Sequence, residues 1–165
     1  MAELDKHAVL AALKQKLETE LERAQKRAKD AAAGATHEEN RAEGDKDMRA
    51  TEASYVARGQ ASRASEMEEA LVRVSALELL DFKPGARIAI SALDDLEQDG
   101  KRLRYFLVPA AGGERLKVAG YEIQTLTPQS PLGRALLGLS EGDDAELPAR
   151  QAGERARCYE IVKVR

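Results

Sequence analysis

The first third of the chain has the hydrophobic pattern of one long helix. Neither Pro nor Gly occurs between Ala2 and Ala33, and Gly34 is predicted to end the regular part of the helix. Apolar side chains recur at steps of three and four residues, which is the spacing of a coiled-coil seam. They are Leu10, Leu13, Leu17, Leu21, Ala24, Ala28 and Ala31. A stripe this narrow needs a partner helix.

A second stripe with the same spacing follows after an acid-rich stretch. It consists of Ala50, Ala53, Ala57, Gln60, Ala64, Met67, Leu71 and Val74. Nearly all facing positions of the two stripes have a constant sum of residue numbers, as expected for an antiparallel hairpin, and the sum places the reversal near Asn40 and Arg41. One continuous helix in an intermolecular coiled coil is the alternative. Gly34 and Gly44 argue against it because each costs about 1 kcal/mol in a helix interior, so a monomeric hairpin is predicted.

The period of the pattern changes after residue 77. Alternation of Ile88 and Ile90 with polar residues predicts a strand, and Asp99–Gly100 between two apolar runs predicts a β-hairpin. Further strands are predicted near "GYEIQTLTP", "AELPA" and "ARCYEIVKVR", and Ser130, Pro131 and Gly138 are predicted to cap, open and end a short helix. We therefore predict an α+β fold with a helical hairpin (1–77) and a domain of about five antiparallel strands with one short helix (78–165).

Composition narrows the class of protein further. The 165 residues are 43% hydrophobic and 33% charged, which fits one ordinary domain or two small units. A net charge of -3 gives no support to nonspecific nucleic-acid binding. Cys158 is the only cysteine, so no internal disulfide can form. No apolar run approaches the ~20 residues that span a bilayer, and the start "MAELDKHAVL" carries acids where a secretory signal is basic. We expect a cytoplasmic protein without a membrane partner.

Most catalytic chemistry has no counterpart in this sequence. It contains no Cys or His pair at metal-ligand spacing, no phosphate-binding loop and no serine elbow. Two histidines are present: His7 is predicted to be a seam residue opposite Val74, and His37 to be a solvated loop residue. The excess of arginine on the second helix is explained either by salt bridges between the helices or by an RNA-facing patch.

The reversal between the helices is the chemically unusual part of the chain. Its acids have only Arg41 and Lys46 as basic neighbours, so they repel each other until a cation or a basic surface arrives. They are Glu38, Glu39, Glu43, Asp45 and Asp47. Thr36 and Glu39 have the spacing of a capping box, so a solvated turn that starts a helix is one interpretation. A tip that binds metal or a partner is the other, and composition alone leaves both open.

The end of the chain resembles a known family. "SPLGRALLG", followed by "EGD" and a closing "YEIVKV", is similar to the hallmark segment of the bacterial Gre family of transcript-cleavage factors. The order of a helical hairpin and then an FKBP-like sheet domain also matches that family. The resemblance is specific over residues 121 to 165 and architectural over residues 1 to 77.

The resemblance implies a factor that is not itself an enzyme and that docks on RNA polymerase. In the family the hairpin enters the secondary channel, and tip carboxylates help to hold a catalytic Mg²⁺ so that backtracked RNA is cut near its 3' end. Docking would involve Ser130, Pro131, Leu132, Gly133 and Arg134.

Carried over onto this tip, the resemblance puts Glu43 at the family's principal Glu, Asp47 at its second Glu and Asn40 at its Asp. Glu39 lies one turn before Glu43 and could replace the missing Asp; Asp45 is a second candidate. We therefore expect Glu39, Glu43 and Asp47 to act in the polymerase active site, and Glu39, Glu43 and Asp45 to bind Mg²⁺ there.

Two other functions remain to be weighed. The altered tip could belong to a channel-binding regulator that modulates or inhibits transcription without stimulating cleavage. A peptidyl-prolyl isomerase is a weaker interpretation, since residues 78 to 165 contain only two Phe and no Trp, too few for the aromatic pocket that binds proline.

Overall fold

The structure, a computed structural model, describes residues 3–39 and 46–165, with the side chains of residues 38, 39, 46 and 47 left out. By its internal contacts it divides into two compact units. One is the described part of Gln15–Val72, and the other combines the described part of Met1–Lys14 with Arg73–Arg165. The predicted domain boundary after residue 77 stays a prediction.

The helical unit is built from most of α1 (Lys6–Glu39) and α2 (Lys46–Ser75). The seam predicted from the sequence is confirmed, because every one of its positions in both helices is buried or half-buried while most of the positions between them are exposed. Leu17, Ala24 and Ala64 are among the buried ones. Toward the junction of the helices most seam positions are alanines, and small residues allow two helix backbones to approach closely. No helix in the described part of the chain is long and apolar enough to cross a membrane.

Gly34 does not end the first helix as predicted. α1 continues for five residues beyond it, to Glu39. A Cβ at Gly34 would meet nothing within 4 Å, so the residue lies on an open helix face. The run of alanines before it is strongly helix-forming, and this outweighs the cost of about 1 kcal/mol for one glycine.

Three further predictions for α1 are wrong. Thr36 is no capping residue, because it lies inside the helix and its hydroxyl donates to the carbonyl of Ala32 (3.1 Å). His37 lies in the last turn of α1 and not in a loop. His7 is exposed and not part of the seam. Its backbone N–H donates to Oδ1 of Asp5 (2.9 Å), so Asp5 caps the start of the helix and His7 occupies its first turn.

The second unit contains one mixed sheet among the described residues. Its strands are β1 (Leu93–Gln98), β2 (Lys101–Leu107), β3 (Arg115–Val118), β4 (Tyr121–Leu126), β5 (Asp144–Leu147) and β6 (Arg157–Val164). The strand order is β3-β4-β2-β1-β6-β5, and all neighbours are antiparallel except the parallel pair β2 and β4. Helix α3 (Pro131–Leu136) lies between β4 and β5 in the chain, and Leu132 and Leu136 join the apolar core of the sheet. The predicted α+β class is confirmed, with six strands where about five were expected.

The predicted Asp-Gly hairpin is confirmed. β1 and β2 pair up to Gln98 and Lys101, and Asp99 and Gly100 both have positive φ, as a type I′ turn requires. The strand predicted around Ile88 and Ile90 is wrong. Ile88 is buried and bonds Leu139 and Gly138 through its backbone, but no ladder extends from this contact. The φ of +77° at Ser91 turns the chain before β1 begins.

Candidate functional site

The acidic stretch lies where α1 ends and α2 begins. α1 ends at Glu39 and α2 begins at Lys46, so Asn40, Glu43 and Asp45 fall outside the described residues. The side chains of Glu38, Glu39 and Asp47 are not described either. The assignment of catalytic and metal-binding roles to these acids therefore stays a prediction. Among the described residues, no group of three His, Cys, Asp or Glu side chains could hold a metal ion.

The segment Ser130–Arg134 forms the start of α3, as predicted. Ser130 Oγ accepts a hydrogen bond from the backbone N–H of Gly133 (3.1 Å) and donates one to the carbonyl of Thr127 (2.8 Å). Ser130 is therefore the N-cap and Pro131 the first helical residue. Only glycine fits at position 133 without a steric clash, because a Cβ there would lie 2.0 Å from the carbonyl oxygen of Thr127.

This geometry divides the predicted docking residues into two groups. Leu132 and Gly133 are buried and Ser130 is engaged in the cap. Pro131 and Arg134 are exposed. A partner that binds this segment would therefore touch mainly Pro131 and Arg134, while the other three residues hold α3 in place.

The start of α3 also borders a cleft of about 430 Å³ against the sheet, which we call the α3 cleft. Besides Ser130, Pro131 and Leu132, its lining consists of Tyr105, Gln124, Leu126, Leu147, Pro148, Ala149, Arg150, Arg157 and Tyr159. Tyr105 is half-buried there, and burial followed by the proximity of Tyr159 raises the pKa of its hydroxyl, which Arg157 partly offsets. Tyr105 therefore stays a neutral hydrogen-bonding group at ordinary pH.

A cluster of charges surrounds two buried acids of β1. Asp95 forms ion pairs with Arg165 and with Arg104, whose Nε lies 3.4 Å from its Oδ1. Asp94 has no exposed surface, and neither of its carboxylate oxygens has a hydrogen-bond partner among the described residues. Its pKa is raised to about 7, first by burial and then by the charge of Asp95, while Lys6 and Arg165 act in the opposite direction.

Lys6 ties the first turn of α1 to the chain that follows α2. Its Nζ donates to the backbone carbonyls of Leu80 and Ser91 and lies 4.7 Å from the centre of the Phe82 ring. Burial lowers the pKa of Lys6, and the charges of Asp81 and Asp94 oppose this change. The contacts explain how the base of α1 belongs to the same compact unit as the sheet.

Sequence reasoning missed the buried charge cluster and the α3 cleft. The cluster joins residues from the two ends of the chain and from β1 and β2, and no local spacing connects them. The pair "DD" at Asp94–Asp95, just before the predicted hairpin turn, was the one available signal, because acids are depleted in buried strands.

Comparison with known proteins finds similarity at the level of solved structures. GreA factor homolog 1 (Gfh1) of Thermus thermophilus is 21% identical with a TM-score of 0.36, and the match covers 92% of this chain and 94% of that one. Gfh1 of Thermus aquaticus is 20% identical with a TM-score of 0.37, covering 91% of this chain and 92% of that one. The elongation factor GreA/GreB of Nitrosomonas europaea is 18% identical with a TM-score of 0.36, covering 67% and 88%.

No protein-family model and no curated protein matches the chain. The similar structures are of proteins related by name to the family that the sequence resembles. They assign no role to any residue of this chain.

Proposed function

We propose that this protein binds bacterial RNA polymerase, inserts its helical hairpin into the secondary channel and stimulates cleavage of backtracked RNA by the polymerase. The observation that carries the proposal is the position of the acidic stretch, which connects the end of α1 at Glu39 to the start of α2 at Lys46. From Gln15 to Glu39 a helix rises roughly 37 Å at about 1.5 Å per residue. Two helices with a seam of small residues would carry those acids far along a narrow channel.

The chemistry of the tip fits this role. Carboxylates are the hard oxygen ligands that Mg²⁺ takes, and a second metal ion in a polymerase active site stabilises the attacking oxygen of phosphodiester hydrolysis. Glu39, Glu43 and Asp45 would hold such an ion together with the polymerase, and Asp47 would act beside them. The reaction would remain that of the polymerase, so this chain would supply ligands and would not be an enzyme by itself.

The test uses stalled, backtracked elongation complexes with Mg²⁺ and the whole chain as a monomeric factor. We expect nascent RNA to be shortened and then re-extended. The double variant Glu39→Ala/Glu43→Ala should lose at least about a hundredfold in cleavage rate while polymerase binding changes less than about twofold. Glu18→Ala/Glu22→Ala, which removes two exposed acids from the middle of α1, is the matched control and should cleave normally. No binding to polymerase would refute the proposal.

A second candidate function is regulation of the channel without cleavage. It is favoured by Asn40, which stands where the resembled family has an Asp. In that case the chain would slow RNA synthesis and leave backtracked transcripts intact. Asn40→Asp then becomes the deciding variant, because it restores the carboxylate that the resembled family has at this position. If the wild-type chain does not stimulate cleavage, the variant should; if the wild-type chain already does, the variant should only raise the cleavage rate.

A further inference from the structure

A hollow of about 370 Å³ opens on the sheet at the start of β2 and β4, and we call it the sheet hollow. These two parallel strands pair from Tyr105 and Gln124 onward, although β2 begins at Lys101 and β4 at Tyr121. The first residues of both strands therefore lie outside the ladder. The sheet hollow is lined by residues of both strand starts and of β3, which is the edge strand beside β4.

Positive charge predominates in the sheet hollow. Its described lining contains Arg102, Arg104, Arg115 and Lys117, with Glu122 as the one acid. Arg104 is already engaged, because its Nε lies 3.4 Å from Oδ1 of Asp95. Arg102 and Lys117 are exposed, and neither forms an ion pair with another described residue. The whole chain has a net charge of -3, so this excess of positive charge is local.

The positive charge continues beyond the sheet hollow along the same sheet. The α3 cleft shares Tyr105 and Gln124 with it. The cleft adds Arg150 and Arg157, and no acid is among the described residues of its lining. Neither of these arginines forms an ion pair with another described residue. A compact anion would meet only part of this stretch, whereas a polyanion would meet cations along its length and would also be attracted from a distance.

A nucleic acid fits the sheet hollow better than an acidic peptide. Two apolar residues of its lining, Leu116 and Ile123, are buried, and Leu103 is half-buried. An acidic peptide would therefore gain little from its apolar side chains and would depend on charge alone. A nucleic acid adds flat bases to its phosphates. Tyr105 is half-buried in this lining, so part of its side chain remains open to an aromatic contact with a base.

Glu122 narrows the class of nucleic acid to RNA. A carboxylate repels phosphates, but it accepts a hydrogen bond from a ribose 2′-hydroxyl, which DNA lacks. Gln124, which is half-buried in the same lining, donates and accepts such bonds through its amide. The bases and riboses of a single strand are open to contacts of this kind. The lining therefore selects single-stranded RNA among the polyanions.

We propose that the sheet hollow binds single-stranded RNA. Arg102 and Lys117 pair with its phosphates, and the arginines of the α3 cleft extend the contact to phosphates further along the strand. Tyr105 contacts a base, and Glu122 accepts a hydrogen bond from a 2′-hydroxyl. This binding is a property of the chain by itself, so it does not rest on the proposed function and is tested without polymerase.

The first experiment measures the fluorescence anisotropy of a labelled, unstructured RNA of about 12 nucleotides during titration with the whole chain. We expect saturable binding with a micromolar dissociation constant at about 50 mM salt. Arg102→Glu/Lys117→Glu should raise this constant at least about tenfold by placing acids against the phosphates. Lys83→Glu/Arg87→Glu makes the same change of charge at two exposed residues outside both linings. It is the matched control and should change the constant less than about twofold.

The salt dependence distinguishes a lost phosphate contact from a structural defect of the variant. Arg102→Gln/Lys117→Gln removes the two charges without placing acids against the RNA. The slope of the logarithm of the dissociation constant against that of the salt concentration should fall by about 1.4, because each phosphate contact of a single strand contributes about 0.7. The wild-type chain should prefer RNA to DNA of the same sequence at least about threefold, and Glu122→Ala should abolish this preference.

Several outcomes would overturn the proposal. It fails if the RNA shows no rise in anisotropy up to about 100 µM protein, or if Lys83→Glu/Arg87→Glu weakens binding as much as Arg102→Glu/Lys117→Glu does. It also fails if a polyglutamate peptide displaces the RNA at an equal concentration of charge. DNA that binds as tightly as RNA would refute the role of Glu122 and the choice of RNA. In the ¹⁵N-labelled chain the amide shifts should centre on the sheet hollow, and shifts confined to the helical unit would place the RNA elsewhere.

Discussion

Asp94 shows how one buried side chain can make stability depend on pH. It has no exposed surface, and burial, followed by the charge of Asp95, raises its pKa from 3.8 to about 7. In the unfolded chain the carboxyl group ionises near its ordinary pKa. Between those two values the folded chain keeps a proton that the unfolded chain has lost. The free energy of unfolding therefore falls as the pH rises through about 4 to 7 and becomes constant above that range.

Asp94→Asn should remove most of this dependence, because an amide does not ionise. The displaced pKa corresponds to a change on the order of 4 kcal/mol between pH 4 and pH 8. Urea unfolding at a series of pH values measures it, with tyrosine fluorescence as the signal because Tyr105, Tyr121 and Tyr159 all lie in the sheet. Asp99→Asn, in the exposed β1–β2 turn, is the control and should keep the slope. If the Asp94→Asn variant keeps the same slope of unfolding free energy against pH, the dependence comes from a titratable group other than Asp94.

The partners of the buried charges could not be predicted from the sequence. Arg165 pairs with Asp95 across 70 residues of chain, and Lys6 reaches Leu80 and Ser91 across a similar distance. Hydrophobic periodicity predicts which face of a strand is buried, but it does not say which charge will be brought against which. Local capping, by contrast, depends on neighbours only, and Ser130, Pro131 and Gly138 were all assigned correctly from the sequence.

At the scale of elements, α3 depends on one close contact at its start. Gly133 is buried, and a Cβ there would lie 2.0 Å from the carbonyl oxygen of Thr127 and 2.8 Å from Oγ of Ser130. Gly133→Ala should therefore displace the cap and destabilise the sheet unit by roughly 3 kcal/mol, at the upper end for overpacked sites. A shift of the thermal midpoint to lower temperature is the readout. An unchanged thermal midpoint would mean that the loop at Thr127 moves to accommodate the methyl group without loss of stability.

Gly34 provides the opposite case on α1. It lies in a helix interior, and a Cβ there would meet nothing within 4 Å. Gly34→Ala should stabilise the helical unit by about 0.5 to 1 kcal/mol, because alanine loses less backbone entropy on folding. Circular dichroism at 222 nm during thermal unfolding reports it. Destabilisation would contradict the helical assignment of this turn.

The errors of prediction at this scale have physical causes. Ile88 and Ile90 alternate with polar residues like a strand, yet the positive φ of Ser91 and the contact of Ile88 with the end of α3 leave no partner for a ladder. β3 was missed because "RLKV" is short and contains one β-branched residue only. It is a strand because the turn at Ala119 and Gly120, both with positive φ, folds it back onto β4.

For the whole molecule, the periodicity of the two helices was the most informative part of the sequence. The seam predicted at steps of three and four is the more buried face of α1 and α2, and most of both helices lies in the helical unit. The site at their junction was predicted from residue types and from resemblance. A hydrophobic pattern predicts which apolar side chains are buried, and it carries no information on how carboxylates are arranged.

The proposed function predicts that binding and cleavage depend on separate parts of the chain. Arg134 is exposed in the last turn of α3, at the segment expected to dock on polymerase. Arg134→Glu should raise the concentration that gives half-maximal cleavage by about tenfold, since reversing a charge at an interface costs roughly 1 to 2 kcal/mol, and leave the maximal rate unchanged.

Tip variants should do the reverse, lowering the maximal rate without changing the half-maximal concentration. Lys101→Glu, an exposed charge reversal at the start of β2, is the matched control and should alter neither quantity. The measurement is the cleavage rate of backtracked complexes over a range of factor concentrations. If Arg134→Glu lowers the maximal rate in the same proportion as it weakens binding, α3 does more than dock. Its position on the polymerase would then determine whether the tip acids reach the active site.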